Sequence, residues 1–377
     1  MRLAVCSTTG LMVAVLCGCG LRTAPAGPPG GPSSDEAMFR GGLRRTGMAT
    51  SPEVGSPPRQ AWRFAAFSPI HSSPVVADGL VYFGTIEGVL DAVDAQTGLE
   101  RWRYRTAGAI ESSPAVADGT VYFGSNDGYI YAVDARDGKL LWRFATGHNT
   151  TSSPAVSGGL VYCGSSNGRL FALEAATGKE RWRRETPGGV VASPAVADGR
   201  VYFGCLHGFL YALEARTGEE HWRVEVGDAF IASPAVADGV VYVGGQDRRL
   251  YALDAETGEK RWEFLVDAWE GWVSSSPAVT ADLVLFGSMD FSFYALDRED
   301  GSLRWKFETG GRAFSSPMVA GETVYFGSDD GNLYALDVLT GAENWRFPAE
   351  GKASASPVLA DGKLFFACYG GFLYALE

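Results

Sequence analysis

The sequence is poor in the residues that build metal and redox centres. It has four histidines and six cysteines among 377 residues. The histidines stand far apart, without the spacing of a ligand pair, at His71, His148, His207 and His221. Beyond residue 19 the cysteines are widely separated, and we interpret them as small apolar core residues: Cys163, Cys205 and Cys368. These shortages count against metal-dependent and thiol chemistry.

Basic residues are outnumbered, since 32 Lys and Arg face 44 Asp and Glu, for a formal net charge of −12. A phosphate backbone would be repelled overall, so we expect no nucleic-acid partner. Hydrophobic residues make up 46% of the chain and aromatic residues 12%. That composition excludes disorder over most of the chain. A sustained helical period of 3.6 residues is also missing.

Long apolar runs are confined to the first twenty residues, MRLAVCSTTGLMVAVLCGCG. The run is too short to span a membrane, and we predict a secretory signal peptide over residues 1–18. Leu16-Cys17-Gly18-Cys19 resembles the bacterial lipobox, which implies that Cys19 is lipidated and anchors the protein to a membrane. The residue directly after Cys19 is Gly20, whereas an Asp at this position would resemble an inner-membrane retention signal. We therefore expect the periplasmic face of the outer membrane, in a cell that has one.

Residues 19–58 are rich in Pro, Gly, Ser and Ala and predict a tether that cannot bury a core of its own. Two stretches of this tether are more varied, residues 38–42 and 44–47. They are candidates for packing on the folded domain.

A repeat of forty residues governs the rest of the chain. Ser-Pro pairs recur with steps of 40 and a single step of 43, at Pro74, Pro114, Pro154, Pro194, Pro234, Pro277, Pro317 and Pro357. Tryptophans run in parallel, at Trp62, Trp102, Trp142, Trp182, Trp222, Trp262, Trp305 and Trp345. Both series contain eight members, so the chain holds eight repeats.

Each repeat contains four short β-prone segments separated by Asp-Gly and Asn-Asp-Gly turns. Four strands in forty residues make one propeller blade. We therefore predict an all-β fold over residues 59–377, an eight-bladed β-propeller of four-stranded antiparallel blades. The last repeat ends before its Trp strand, and the domain opens with an unpaired one around Trp62. We expect this N-terminal strand to complete the last blade and close the ring.

The most regular residues have structural explanations. An acid comes at the end of each third strand, and in all repeats but the last a turn Gly follows and is expected to supply a positive φ, as in Asp134 and Gly138. The Trp four residues later can pack between blades. We interpret these acids and tryptophans as architecture.

The unit Ala-x-Asp-x-x-Thr-Gly-x-x-x-Trp, as in Ala252 to Trp262, resembles the tryptophan-docking repeat of pyrroloquinoline quinone (PQQ) propellers. Two branches share this repeat: quinoprotein dehydrogenases, and non-enzymatic lipoproteins similar to the outer-membrane assembly factor BamB. The dehydrogenase branch implies long insertions between blades, an adjacent Cys-Cys pair and a Ca²⁺ site with a nearby Asp. The regular spacing leaves no room for insertions, and the sequence has no adjacent Cys pair. We therefore expect no enzyme activity, no PQQ and no metal.

The largest irregularity is the step of 43, in residues 266–273 before the sixth blade. It contains the two tryptophans that fall outside the regular series, Trp269 and Trp272. We predict a partner-binding surface of residue types enriched in interface hot spots: Trp269, Glu270, Trp272, Met289, Phe291, Phe230, Arg312 and Phe314. The alternative is that the two tryptophans plug the channel mouth.

The predicted function is therefore a protein-binding scaffold of the cell envelope, similar to BamB, with an outer-membrane assembly complex as the candidate partner. The alternatives are a PQQ-dependent quinoprotein dehydrogenase and a propeller that binds a small molecule or a glycan.

Overall fold

A computed structural model describes residues 37–377 of the protein. These residues form eight four-stranded antiparallel sheets, so the predicted eight-bladed all-β propeller is confirmed. The predicted signal peptide, Cys19 and the first part of the tether lie outside the described residues. Within residues 37–377 there is no helix of the length and hydropathy that a membrane span needs.

Each blade orders its strands from the channel outwards. The innermost strands are β2 (Val75–Ala77), β6 (Ala115–Ala117), β10 (Ala155–Ser157), β14 (Ala195–Ala197), β18 (Ala235–Ala237), β22 (Ala278–Val279), β26 (Met318–Ala320) and β30 (Val358–Ala360). The second strands are β3 (Leu80–Gly84), β7 (Thr120–Ser125), β11 (Leu160–Ser165), β15 (Arg200–Gly204), β19 (Val240–Gly244), β23 (Leu283–Ser288), β27 (Thr323–Gly327) and β31 (Lys363–Cys368). The third strands are β4 (Val89–Asp94), β8 (Tyr129–Asp134), β12 (Arg169–Glu174), β16 (Phe209–Glu214), β20 (Arg249–Asp254), β24 (Ser292–Asp297), β28 (Asn332–Asp337) and β32 (Phe372–Leu376). The outermost strands are β5 (Glu100–Arg105), β9 (Leu140–Ala145), β13 (Glu180–Glu185), β17 (Glu220–Glu225), β21 (Lys260–Leu265), β25 (Leu303–Glu308), β29 (Glu343–Pro348) and β1 (Gln60–Ala65).

The ring closes as the sequence predicts. Strand β1 pairs antiparallel with β32, so that Trp62 lies opposite Ala375 and Phe64 opposite Leu373. The first strand of the domain thus becomes the outermost strand of blade 8. This pairing leaves no sheet of the ring incomplete and joins the two ends of the domain.

Turn chemistry fixes the register inside each blade. Asp118 and Gly119 join β6 to β7, and both have a positive φ, of 49° and 69°. Two consecutive positive φ values are what a type I′ hairpin turn requires, and Asp-Gly is a favoured pair for it. The same chemistry recurs in other blades, for example at Asp198-Gly199 and Asp238-Gly239.

The regular tryptophans connect neighbouring blades. Trp102 donates its indole Nε1–H to the carbonyl of Ala135 in the next blade at 2.9 Å. Gly138 lies against the same ring, because a Cβ at this position would come within 2.6 Å of the indole. The turn glycine is therefore needed twice, for its positive φ and for the indole that packs on it.

The Ser-Pro series has a structural role that the sequence did not disclose. The backbone N–H of each Ser donates to the Oγ of the Ser in the next blade, as from Ser113 to Ser153 at 3.0 Å. The bond from Ser356 to Ser73, at 2.9 Å, completes the circle. The eight members are Ser73, Ser113, Ser153, Ser193, Ser233, Ser276, Ser316 and Ser356. This belt ties the innermost strands together around the channel.

Residues 37–54, which we call the cap, cross the lower end of the channel, where the turns between innermost and second strands lie. They belong to the predicted tether, yet they are packed on the propeller. Arg45, only 1% exposed, donates to the carbonyls of Pro194 at 2.6 Å, Ser153 at 3.1 Å and Pro154 at 3.2 Å. At the rim Arg44 forms an ion pair with Asp198. The cap therefore holds several blades at once.

Candidate functional site

The loop of residues 266–273 lies on the upper face of the ring, which carries the connections from each outermost strand to the next blade. Its two ends are fixed, since Val266 and Val273 are fully buried. The N–H of Val266 donates to the carbonyl of Arg248 at 2.9 Å, and the N–H of Val273 to that of Gly245 at 3.2 Å. The three extra residues therefore project from a firm base.

A cavity of about 440 Å³ opens beside this loop, between blades 5, 6 and 7. Five of the predicted site residues line it: Trp269, Glu270, Trp272, Met289 and Arg312. The remaining lining residues are Gln246 and Arg248, on the loop between β19 and β20. The structure thus brings most of the predicted surface together in one place.

The cavity combines aromatic area with charge. Trp269 is 92% exposed and Trp272 42% exposed. Glu270 and Arg312 approach to 3.8 Å across the cavity, and Arg248 donates Nη1–H to the carbonyl of Ala268 at 3.3 Å. An exposed indole is costly to leave in water and is a favoured anchor at protein interfaces. The arrangement is suited to binding a segment with apolar and polar groups.

Two residues next to this loop have a backbone conformation that favours Gly. The residue before each third strand has a positive φ, and six blades use Gly there, with φ between 75° and 86°: Gly88, Gly128, Gly168, Gly208, Gly331 and Gly371. Blades 5 and 6 instead place Arg248 at a φ of 70° and Phe291 at 67°. A non-Gly residue in this region costs about 1–2 kcal/mol. The two exceptions flank the Trp loop, where they present a cation and a half-exposed ring.

Three predicted residues lie outside the cavity. Phe230 is fully buried and packs against Gly204 in the core between blades 4 and 5, so it is not available to a partner. Phe314 is half-buried, and its ring centroid lies 6.2 Å from that of His71. Phe291 is exposed on the same face without lining the cavity.

Sequence reasoning missed Gln246 and Arg248. The sequence does contain a sign of Arg248, because in six of the eight blades the residue directly before the third strand is Gly. The length of the repeats and the positions of their aromatic residues, on which the predicted surface rests, do not reveal this substitution. A substitution at a position that demands Gly was the stronger clue.

A second irregularity lies inside blade 1. Asp91 occupies the third-strand position that holds Tyr or Phe in the other blades: Tyr131, Phe171, Tyr211, Tyr251, Tyr294, Tyr334 and Tyr374. Asp91 is 1% exposed, and burial raises the pKa of its carboxyl to about 6, although Arg103 at 3.5 Å opposes the shift. Arg103 pairs with both Asp91 and Glu100, and this small surface-edge ion cluster is neither a catalytic dyad nor a metal site.

The described residues do not fit the quinone and Ca²⁺ site that resemblance to the dehydrogenases implies. The three cysteines of residues 37–377 are buried, free and on separate blades. In the same residues no three His, Cys, Asp or Glu side chains come together as a metal site. A Ca²⁺ ion needs six to eight oxygen ligands. That the protein binds no quinone and no metal stays a prediction.

Comparison with known structures places the fold among PQQ-type propellers. BamB from Moraxella catarrhalis matches with a TM-score of 0.71 and 22% identity, over 85% of this chain and 97% of that one. Quinohemoprotein alcohol dehydrogenase from Comamonas testosteroni matches with a TM-score of 0.79 and 16% identity, over 90% and 80%. The computationally designed Ika8 protein gives 0.73 and 19%, over 82% and 96%. At these identities the likeness shows the fold, and the fold serves both branches.

Comparison of the sequence with protein families gives a further result. No curated protein sequence matches the chain significantly. The family model for outer membrane protein assembly factor BamB matches residues 56–188, 126–204, 191–289 and 266–377. These matches run through the whole propeller and all eight of its repeats. The chain therefore belongs to the outer membrane protein assembly factor BamB family of PQQ-repeat propellers.

Proposed function

We propose that the protein is a non-enzymatic, lipid-anchored scaffold that binds a protein partner during outer-membrane protein assembly. Membership of the BamB family supports the biological setting. The observation that carries the proposal is the upper-face cavity, where Trp269 is 92% exposed between strained residues of blades 5 and 6. Strain and exposed aromatic area both lower stability, and they persist where function needs them.

The cavity supplies both parts of an interface hot spot. Trp269 and Trp272 offer large rigid surfaces that lose little conformational entropy on binding. Arg248, Arg312 and Gln246 surround them with hydrogen-bond donors that orient a partner. We place the centre of the interface at the two tryptophans and its polar rim at the two arginines.

The anchor and the location of the protein rest on the first twenty residues. We propose that Cys19 is lipidated and holds the protein on the periplasmic face of the outer membrane. A Cys19→Ala variant should lose incorporation of radiolabelled palmitate and appear in the soluble periplasmic fraction. Retention of that variant in the outer membrane would contradict the proposed anchor.

The absence of enzyme activity is part of the proposal. The scattered cysteines and acids of residues 37–377 support it, because they offer no donor set for a quinone and its Ca²⁺. Purified protein incubated with PQQ and Ca²⁺ should show no quinone absorbance and no dye-linked oxidation of alcohols. Activity in that assay would move the protein to the dehydrogenase branch.

The partner interface can be tested in cells with a photo-crosslinking amino acid at Gln246, on the wall of the cavity. We expect a discrete crosslinked envelope protein, lost in the variant Trp269→Ala with Trp272→Ala. The matched control is Leu99→Ala with Leu339→Ala, which removes two exposed apolar side chains from the lower side. Only the tryptophan variant should also reduce the amount of β-barrel protein in the outer membrane.

The leucine control distinguishes loss of the partner-binding surface from a general loss of stability. Both double variants should unfold at nearly the wild-type temperature, because all four side chains are on the surface. If the crosslink persists in the tryptophan variant, or forms equally from a probe at Leu339, the upper-face cavity is not the interface.

A further inference from the structure

Backbone hydrogen bonds fix the cap on the inner strands. The carbonyl of Ala37 accepts from the N–H of Val116 in blade 2 at 2.7 Å, and that of Gly47 accepts from Val319 in blade 7 at 2.8 Å. Between these two, acceptors of the cap serve blades 3 to 6 in order: Met38 Sδ and the carbonyls of Leu43, Arg44 and Thr46. The cap therefore contacts six blades, and its side chains have fixed positions at the channel.

Two arginines of the cap are buried without an acidic partner. Arg40 is 4% exposed and Arg45 1% exposed. The guanidinium of Arg45 donates to backbone carbonyls, whereas the three guanidinium nitrogens of Arg40 have no hydrogen-bond partner. Within residues 37–377, neither guanidinium pairs with an Asp or a Glu. Two positive charges are thus buried near each other, and no negative charge of the described chain compensates them.

The guanidinium of Arg40 lies against the inner strands of blades 6 and 7. A Cβ on Gly47 would come within 2.5 Å of Nη2 of Arg40, 2.7 Å of the carbonyl oxygen of Pro317 and 3.0 Å of the Cβ of Ala278. Gly47 also has a φ of 68°, a conformation that other residues rarely adopt. This glycine leaves room for the guanidinium, so the buried cation is a built feature of the cap.

The belt of serines offers further donors at the same place. Ser316 directly precedes Pro317, and Ser276 lies two residues before Ala278. Each of the two Oγ atoms accepts a backbone N–H, and neither hydroxyl donates to a group within residues 37–377. A hydroxyl proton rotates towards whatever acceptor is present. Two unused O–H donors therefore lie close to the unpaired guanidinium.

A buried cation needs compensation, and the donor set indicates its chemistry. Removing a charge from water carries a penalty that only an opposite charge or several hydrogen bonds offset. Burial and the nearby charge of Arg45 lower the pKa of Arg40 to about 9, so the group is still protonated at neutral pH. The guanidinium fork matches a pair of oxygens on one anion, and hydroxyls can bind a further oxygen.

We propose that the channel at the cap is a binding site for a small free oxyanion, held by Arg40 with the hydroxyls of Ser276 and Ser316. The anion neutralises the buried guanidinium and joins the cap to blades 6 and 7. It has the same effect there as the carbonyls that hold Arg45 at blades 3 and 4. Chloride lacks the paired oxygens of this match, so the site selects phosphate or sulfate over chloride.

Urea denaturation of the mature protein with increasing sodium phosphate tests the site, at an ionic strength held constant with sodium chloride. A ligand that binds only the folded state stabilises it, so phosphate should raise the urea midpoint of the wild type until the site is saturated. Unfolding opens the channel, so the result does not depend on the route by which the anion enters. Sulfate should give the same response.

Arg40→Met should weaken the apparent affinity for phosphate at least about tenfold, because it removes the charged donor. In chloride alone this variant should be at least as stable as the wild type, so a lost response is not a lost fold. The matched control is Arg44→Met, which removes an exposed cation of the same cap from its ion pair with Asp198. This control should respond to phosphate as the wild type does.

The proposal is overturned if phosphate gives no saturable response in the wild type, or an equal response in Arg40→Met. Crystals of the wild-type protein grown with selenate provide a readout that needs no variant. An anomalous selenium peak is expected at the guanidinium of Arg40, with its oxygens about 3 Å from the nitrogens. The absence of a peak there would also overturn the proposal.

Discussion

At the lower end of the ring, the cap meets the inner strands of six blades with hydrogen-bond acceptors, and Arg45 is held by carbonyl oxygens on several sides. On the upper face over blades 5 and 6, Trp269 extends into solvent and Arg248 and Phe291 adopt a backbone conformation that favours Gly. The same repeat builds both regions. At the lower end an added segment covers the repeat, whereas on the upper face the repeat itself is altered.

This contrast separates structure from function in a repeat protein. Features that satisfy backbone groups and bury side chains need no partner to explain them. Features that leave apolar surface exposed and the backbone strained lower the stability of the free protein. Breaks of the second kind are therefore better guides to a binding site than unusual residue types alone.

The largest effect is expected at the lower end, where Arg45 and Arg40 offer a matched pair. Arg45→Met removes a guanidinium that bonds to the carbonyls of Pro194, Ser153 and Pro154. Since hydrogen bonds to charged groups contribute about 1.5–3 kcal/mol each, we expect a loss of at least about 3 kcal/mol in the free energy of unfolding. Thermal or urea denaturation would measure it.

Arg40→Met is the control. Arg40 is only 4% exposed, but its three guanidinium nitrogens have no hydrogen-bond partner in the described part of the chain. Burial lowers the pKa of Arg40 to about 9, as expected for a cation without a counter-charge. Replacing such a group by an apolar side chain of similar length should be neutral or stabilising. A loss equal to that of Arg45→Met would contradict this distinction.

The next effect concerns Asp91, the buried carboxyl that interrupts the aromatic series of the third strands. Its pKa is raised to about 6 in the folded state from an ordinary value of 3.8. Between these values the folded protein holds a proton that the unfolded chain releases, so stability falls as the pH rises from about 4 to 6. The shift corresponds to about 3 kcal/mol at neutral pH. Asp91→Asn should remove this loss, which denaturation at several pH values would show.

Asp137→Asn is the control for that profile. Asp137 is an exposed turn residue whose pKa is lowered by a hydrogen bond from Lys139. Its carboxylate therefore stabilises the protein above its ordinary pKa, and the benefit disappears as the pH falls. The two variants should alter the pH profile in opposite directions, and Asp137→Asn by the smaller amount. A shared direction would show that Asp91 is not a buried carboxyl destabilised by its environment.

The sequence was sufficient to predict the ring, because the period of forty residues and the orphan Trp62 strand specify eight blades and their closure. It also placed Trp269 and Trp272 on one surface with Met289 and Arg312. Both predictions succeed for the same reason: the position of a residue within its repeat determines where it lies along the channel axis and on which face of the ring.

The burial of individual side chains and the contacts between residues far apart in the sequence could not be predicted in this way. Phe230 lies at a loop position, but its ring turns into the core between blades 4 and 5. The cap has the composition of a tether, because many of its contacts use backbone carbonyls and arginines, and its few buried apolar residues, such as Met38 and Val54, follow no period. The belt of serines was visible as a series, but its hydrogen bonds join residues forty positions apart.

The smallest effect tests the upper face directly, through the strained positions of blades 5 and 6. Arg248→Gly and Phe291→Gly restore the residue that the other six blades use at a positive φ. Each should stabilise the protein by up to about 1 kcal/mol by relieving strain, although the added freedom of Gly in the unfolded chain offsets part of the gain. Arg248→Gly should also weaken the crosslink from Gln246, because it removes a donor from the cavity wall.

The reverse change, Gly331→Ala in blade 7, is the control. It imposes the same strain, and its added Cβ would lie 3.4 Å from the nearest atom, which is ordinary van der Waals contact. We expect it to lower the free energy of unfolding by about 1 kcal/mol while leaving the crosslink intact. If both glycine variants bind the partner normally, the strain next to Trp269 does not serve the interface.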